Sequence, residues 1–366
     1  MAASRQRALV PDPAVSDQPP MPGRHRRPRY PGRNPRAFHE KYKELDPTRY
    51  PEEALKVRAA GKTPAGAHVP IMPTEVLAHL GLRPGDVAVD CTFGGGGHAR
   101  AIIDAIQPGG RLIALDADPL ELPKTEARFR AEGIGPEQLT TYHANFAALP
   151  QVLATLGVPQ VDAVLADLGV SSMQFDNPDR GFSYKGVGPL DMRMNPRRGE
   201  PASALVARLP ETELAAVLEA HADEPHAALI ARLLKTEMPA TTHAAERAIR
   251  TGLEAAMPRL DKSAIKMSIR RTFQALRIAV NDEFGALDAL LRALSQVLRP
   301  GGRVVILTFH SGEDRRVKKA FQAGQRSGLF SAVATEVVRS SKAETFANRR
   351  AASAKLRWAI RAETAR

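Results

Sequence analysis

Three aspartates, each closing a short apolar run, and one run of four glycines are the residues whose types and spacing could do chemistry. Asp90 follows Val87-Ala88-Val89, Asp116 follows Leu112-Ile113-Ala114-Leu115, and Asp167 ends Val161-Asp162-Ala163-Val164-Leu165-Ala166. Gly94-Gly95-Gly96-Gly97-His98 comes just after Asp90, and residues 99–107 beyond it have helix-forming composition. Strand, glycine turn and helix start together present backbone N–H groups to a ligand with no side chain in the way. Asp116 lies twenty-two residues beyond Gly94, a spacing that suits a carboxylate at a neighbouring strand tip gripping two ribose hydroxyls. These residues indicate a nucleoside-containing cofactor. Gly94-x-Gly96-x-x-Ala99 also satisfies the dinucleotide fingerprint, which keeps an NAD-dependent oxidoreductase open.

In open parallel sheets, ligands sit beyond the carboxyl ends of the strands. There the chain places Asp167-Leu168-Gly169-Val170-Ser171-Ser172, followed by Gln174. Glycines, a ribose acid and further polar groups make the set that an S-adenosylmethionine-dependent methyltransferase needs. A sulfonium methyl requires no metal and no hydride partner, only a nucleophile aligned at close range. His221 and His226 are five apart and off one helical face, so no metal site is expected there. His310 ends a strand, where a lone histidine is more often packed than catalytic.

The elements that must position these groups alternate. A short helix is expected at 73–80, then strand 87–90, helix 99–107, strand 111–115, helical composition at 119–132 with Pro123 in or limiting its first turn, strand 139–143, helix 147–156 and strand 161–167. Such alternation predicts a parallel sheet with helices on both faces. Residues 176–200 break the rhythm as a Gly-, Pro- and Arg-rich loop whose aromatics and methionines argue against disorder. Residues 202–260 read as an inserted, Ala/Leu-rich helical unit. The stripe Phe273, Leu276, Val280, Phe284, Leu287, Leu291, Leu294, Leu298 then marks one long amphipathic helix or two in tandem, and strand 304–309 resumes the sheet.

Composition bounds the rest. The net charge of +12 is uneven: residues 1–67 carry +7, residues 315–366 carry +10, and the middle carries −5. Two basic ends on a mildly acidic core fit an anionic partner, nucleic acid above all. Residues 1–36 hold eight prolines and few large apolar groups, so they are expected to be disordered; residues 37–67 read as a charged connector. The single cysteine, Cys91, excludes an internal disulfide and fits a reducing compartment. No apolar run could span a bilayer and no secretory signal is evident, so a cytoplasmic protein without membrane association is expected.

Longer strings carry a resemblance. Asp90 to His98, Asp167 to Gln174, Arg180-Gly181-Phe182-Ser183-Tyr184, Gly188 to Met194, Arg271 to Asn281, Phe309-His310-Ser311-x-Glu313-Asp314-Arg315, Asn348-Arg349-Arg350 and Ser353 to Arg357 are similar, in order, to the bacterial small-subunit rRNA cytosine-N4 methyltransferases, the RsmH or MraW family. The resemblance spans roughly residues 68 to 360. It implies a Rossmann-like class I S-adenosylmethionine-dependent methyltransferase fold with an inserted small helical domain. The parts would be an extension at 1–67, core at 68–175, loop and insert at 176–267, and core again at 268–366.

The resemblance further implies N4-methylation of a cytosine of 16S rRNA near the decoding centre, cytosine 1402 in the family, within the small ribosomal subunit. The family's cofactor positions fall on Gly96, Gly97, His98, Asp116, Phe146, Asp167 and Gln174. Asp167, Asp191 and His310 are candidates for orienting the acceptor amine, whose lone pair is delocalised into the ring. Arg180, Phe182, Tyr184 and Arg193 are candidates for stacking on and gripping RNA. The chain departs from the family pattern at Gly95, Met173, Gly312 and 266–270, and its first 67 residues have no counterpart in that pattern. A catalytically silent RNA-binding or assembly factor is the alternative function, and a homodimer is left open.

Overall fold

In the computed structural model the described residues are 70–363. The disorder expected at 1–36 and the connector at 37–67 lie outside them. The apolar runs form four parallel strands, β1 (Val87–Asp90), β2 (Arg111–Asp116), β3 (Leu139–His143) and β4 (Val161–Asp167). Between them run α1 (Pro73–Leu80, ahead of β1), α2 (Gly97–Ile106), α3 (Leu122–Ala131) and α4 (Leu149–Thr155). Pro123 sits in the first turn of α3, where its missing N–H leaves no helical bond unmade. Residues 146–148 form a separate 3₁₀ turn ahead of α4, so the helix expected at 147–156 starts two residues late.

Consecutive residues on a strand face opposite ways, and here both faces are covered. Val89, Ile113, Leu115, Val164 and Ile306 belong to one core cluster. Ala88, Leu112, Ala114, Leu165 and Leu307 belong to another, beneath α1 and α2. That two-sided burial is why the strands read as continuous apolar runs instead of alternating ones.

After β4 come the one-turn helix α5 (Ser172–Asp176) and the insert helices α6 (Ala202–Arg208), α7 (Glu211–Ala222), α8 (Ala227–Glu237) and α9 (Thr242–Ala256). Helix α10 (Lys262–Asn281) follows as one unbroken rod, and α11 (Glu283–Val297) follows it. The apolar stripe is therefore two helices in tandem, separated at Asp282, which adopts a left-handed conformation with φ 46°, a region that aspartate tolerates better than most residues. The boundary drawn at 267/268 falls inside α10. Ile265, Ile269, Phe273 and Leu276 of that helix pack with Leu214, Leu218, Ile230 and Ile249 of the insert, so the physical junction is at Asp282.

The sheet resumes with β5 (Leu298–Thr308), α12 (Ser311–Arg326), β6 (Phe330–Val333), the short helix α13 (Lys342–Ala347) and β7 (Lys355–Arg361). The strand order is β3-β2-β1-β4-β5-β7-β6, with β7 antiparallel to both neighbours. Strand β5 begins six residues earlier than the apolar run suggests, running through Pro300-Gly301-Gly302. Strands β6 and β7 were not anticipated from the pattern. In β7, Leu356 and Ala359 are buried among charged residues, and buried Arg357 is held by Asp314. Order reverses between β1 and β4, and that switch point opens the crevice where ligands bind in such sheets.

Candidate active site

The crevice is a cavity of about 940 Å³ above the carboxyl ends of β1, β2 and β4. Its floor is the turn after β1. The Thr92 hydroxyl accepts a hydrogen bond from the Asp167 N–H at 2.8 Å, tying the tips of β1 and β4 together. The Gly94 N–H donates to Asp116 Oδ2 at 2.6 Å, and the Asp118 N–H donates to Asp116 Oδ1 at 2.8 Å. Asp116 is thus fixed at the tip of β2 by backbone donors, with its oxygens' remaining lone pairs on the cavity. Gly96 caps α2 with φ 71°, and a Cβ there would lie 2.5 Å from Phe129 Cε2. Glycine at this position is therefore demanded by packing against α3 as well as by any ligand. His98, inside the helix, is not its cap.

The cavity concentrates acid. Burial pushes the Asp167 carboxyl up to about 8, helped by the charges of Asp90 and Glu313. Burial likewise raises Asp90 to about 7 and Asp116 to about 6, against the pull of the N–H donors of Thr92, and of Asp118 and Gly94, respectively. Asp167 Oδ1 is buried with no hydrogen-bond partner, an expensive condition for a polar atom. His98 Nε2 stands 3.7 Å from Asp167 Oδ2.

A second group faces the same space from β5 and the insert. His310 Nε2 lies 3.2 Å from Glu313 Oε1, and Glu313 Oε2 accepts the Phe309 N–H at 2.9 Å. Burial would raise the Glu313 carboxyl, but His310 and the Arg277 charge hold it below its usual value. Ligand atoms of Glu283, His310 and Glu313 lie within 4.8 Å of one another. Both Glu283 oxygens are engaged by Arg277, at 2.7 and 2.8 Å, so a guanidinium already supplies the positive charge beside this trio.

The far wall is the loop after β4. Ser171 and Gln174 form a reciprocal capping box on α5, with the Gln174 amide nitrogen free to donate to Asp118 Oδ2 at 2.7 Å. Arg180 Nη1 donates to the same oxygen at 2.7 Å, and its Nη2 donates to the carbonyls of Arg193 and Met194. Asn281 at the end of α10 accepts the Met194 N–H at 2.7 Å and donates to the Met192 carbonyl. Asp118 is the buried centre to which the long loop is pinned.

All seven expected cofactor positions, Gly96, Gly97, His98, Asp116, Phe146, Asp167 and Gln174, line the cavity, as does His310. Asp191 does not. Its carboxylate is closed off by Arg193, which binds it through Nε at 2.8 Å and Nη2 at 2.7 Å and holds it below the usual carboxylate range. The four loop residues expected to meet RNA lie away from the cavity. Arg180 and Phe182 are buried, Tyr184 packs edge-on against Phe273, and Arg193 is spent on Asp191; none of them lines the cavity. They build the loop. Sequence reasoning missed Asp118, although it stands two residues beyond Asp116. It also missed Arg277, which sits four residues before Asn281 on one face of α10.

A doubly wound α/β fold, an acid at each of three strand tips and a glycine turn opening a helix define a nucleotide-cofactor enzyme of the class I methyltransferase type. The MraW methylase family model matches residues 65–362, and the chain belongs to that family. It is 44% identical to "Ribosomal RNA small subunit methyltransferase H 1" of Lachnoclostridium phytofermentans over 93% of this chain and 94% of that protein. It is 45% identical to "Ribosomal RNA small subunit methyltransferase H 2" of Alkaliphilus metalliredigens over 93% and 98%. The family model begins at residue 65, as expected of the first 67 residues, while the alignments with these two relatives leave only about 26 of the 366 residues unmatched and so extend into that segment. Among solved structures, a "putative rRNA-methylase" from Clostridium thermocellum aligns with 80% of this chain and 94% of its own at TM-score 0.38 and 10% identity. No helix among the described residues is long and apolar enough to cross a membrane.

Proposed function

We propose that the chain is a cytoplasmic S-adenosylmethionine-dependent methyltransferase acting on the exocyclic amine of a cytosine of 16S rRNA in the small ribosomal subunit, cytosine 1402 by the family resemblance. The observation that carries the reading is Asp167, a half-buried carboxyl on a cavity lined by a glycine turn and a strand-tip acid, whose inner oxygen Oδ1 has no hydrogen-bond partner among the described residues. The residues fit the cofactor. The Gly94–Gly97 turn leaves room for the methionyl part, Asp116 has acceptors for ribose hydroxyls, and Phe146 offers an apolar face for adenine. The bound cofactor would supply an electrophilic sulfonium methyl.

The chain's own part is to make a poor nucleophile competent. The N4 lone pair of cytosine is delocalised into the ring, and acceptors that hydrogen-bond its N–H groups favour a tetrahedral nitrogen. The Asp167 carboxyl, partly exposed on the cavity, is the acceptor assigned to this role. In its ionised form, which a pKa of about 8 makes the minor one at neutral pH, the same carboxyl can take the proton that N4 gives up once the new C–N bond has formed. His310 stands on the same cavity beside Glu313, and Arg277, which also lines it, is held there by Glu283. The target base must leave its stack to reach Asp167.

The test is incubation of purified small subunits lacking the modification with the enzyme and isotopically labelled S-adenosylmethionine, followed by mass-spectrometric mapping. Label as N4-methylcytidine at a single site is expected. Label on another base would overturn the acceptor assignment, and absence of any label would favour the catalytically silent assembly factor.

A further inference from the structure

The most exposed large apolar side chain among the described residues is Phe346, 91% accessible on α13. An isolated surface apolar residue usually needs no explanation, but this one has a particular address. Helix α13 is fastened to the cavity rim at both ends. Glu344 Oε1 accepts the Met72 N–H at 2.7 Å, next to Pro70 and Ile71, which line the cavity. Beyond the helix, Arg349 and Arg350 line the cavity themselves, and Arg350 donates to Asp176 at 3.2 Å across the mouth. Three Cα steps of 3.8 Å place the Phe346 Cα within about 11 Å of that of Arg349.

The surroundings have the chemistry of a nucleic-acid contact. Lys342, Arg349 and Arg350 flank Phe346 on one short segment, within the C-terminal stretch 315–366 whose net charge is +10. An exposed ring between cations, beside a cavity that must admit an extruded base, matches the side chains that wedge between bases or stack on them. The alternative, a ring awaiting a protein partner, would not call for an ammonium group on its own helix and two guanidinium groups on the adjoining rim.

We infer that Phe346 is a positioning residue which stacks against the bases next to the target cytosine and holds open the gap that the extruded base leaves. This rests on the function proposed above. The ring does not touch the reacting atoms; it lowers the cost of keeping the RNA in its open form.

The experiment compares the full chain with Phe346→Ala and Phe346→Trp, using small subunits as substrate, and measures methyl transfer and cofactor affinity separately. Phe346→Ala should lose roughly 5- to 160-fold in kcat/KM, the range of one base–aromatic stack, with cofactor affinity within about twofold of wild type. Phe346→Trp should restore most of the loss. Wild-type turnover by Phe346→Ala, or equal loss in both variants, would overturn the inference while leaving the proposed function standing. A wild-type chain that neither binds the cofactor nor transfers methyl would instead remove the function, and this inference with it. In a parallel arm, a photoreactive benzoylphenylalanine at 346 should crosslink to rRNA. Crosslinking only to a ribosomal protein, or only to residues 1–69 of the chain itself, overturns the assignment.

Discussion

Replacing Asp118 by asparagine tests whether the long loop is truly pinned at one buried atom. Oδ1 of Asp118 accepts the Leu120 N–H at 2.9 Å, and Oδ2 accepts both Gln174 Nε2 and Arg180 Nη1 at 2.7 Å. Asparagine has the same shape but only one acceptor oxygen. With that oxygen kept on Leu120, its NH₂ confronts two donors; turned the other way, it confronts the Leu120 N–H. Arg180 keeps two backbone carbonyls but loses its ion-pair partner Asp118 in a site where both side chains are buried. Breaking a buried ion pair from one side costs about 3–5 kcal/mol. With a urea slope of about 3 kcal/mol/M, the unfolding midpoint should fall by about 1–1.7 M. The fluorescence of Trp358, stacked on His79 at 5.3 Å, reports the transition. Arg180→Met in the Asp118→Asn background removes the stranded charge and should recover part of the loss, making the cycle non-additive. A loss under about 1 kcal/mol, or strict additivity, would refute the argument that this pair organises the loop.

Further outcomes follow from the same geometry. Asp167→Asn should lower methyl transfer by about 100-fold or more while the chain still binds cofactor; near-normal turnover would remove Asp167 from its acceptor role. Gly96→Ala should destabilise by about 1–3 kcal/mol because its Cβ meets Phe129 at 2.5 Å and φ is positive. Phe129→Leu should relieve part of that, and a thermally neutral Gly96→Ala would contradict the packing. The raised carboxyls have a definite sign. Asp90 at about 7 and Asp167 at about 8 stay protonated in the folded chain where the unfolded chain, near 3.9, has ionised. Their contribution to stability is fully present below about pH 3.9 and is lost as pH rises through 7 to 8. Asp90→Asn should therefore flatten the decline of the urea midpoint between pH 5 and pH 8.5; an unchanged slope would mean that Asp90 is ionised throughout.

The sheet and the cofactor side of the cavity were legible because they rest on local signals. An apolar run fixes a strand, its terminal acid fixes a tip, and the glycine turn fixes where a helix can start. Those signals brought Asp90, Asp116 and Asp167 to one edge without knowledge of the strand order. What sequence could not show was which polar groups neutralise one another. Arg180, Phe182 and Arg193 have the composition of an RNA-binding loop, but the same residues serve equally to fold a loop onto a buried acid. Only the three-dimensional structure shows the partners, Asp118 for Arg180 and Asp191 for Arg193. The missed strand β7 has a similar cause. Its charged residues look like a solvated basic tail until Asp314 is seen beside Arg357.

The tandem of α10 and α11 has a consequence for how this architecture can change. Asn281, the last residue of the rod that crosses the insert, holds the main chain at Met192 and Met194, and Met194 is cavity wall. The insert is therefore not a cassette that can be exchanged between relatives with the catalytic half left as it was. A substitution that tilts α10 also moves the wall of that cavity. The insert and the cavity wall must drift together, and a chimera that splices one insert onto another core should be sought at Asp282 and Asp118 jointly or not at all.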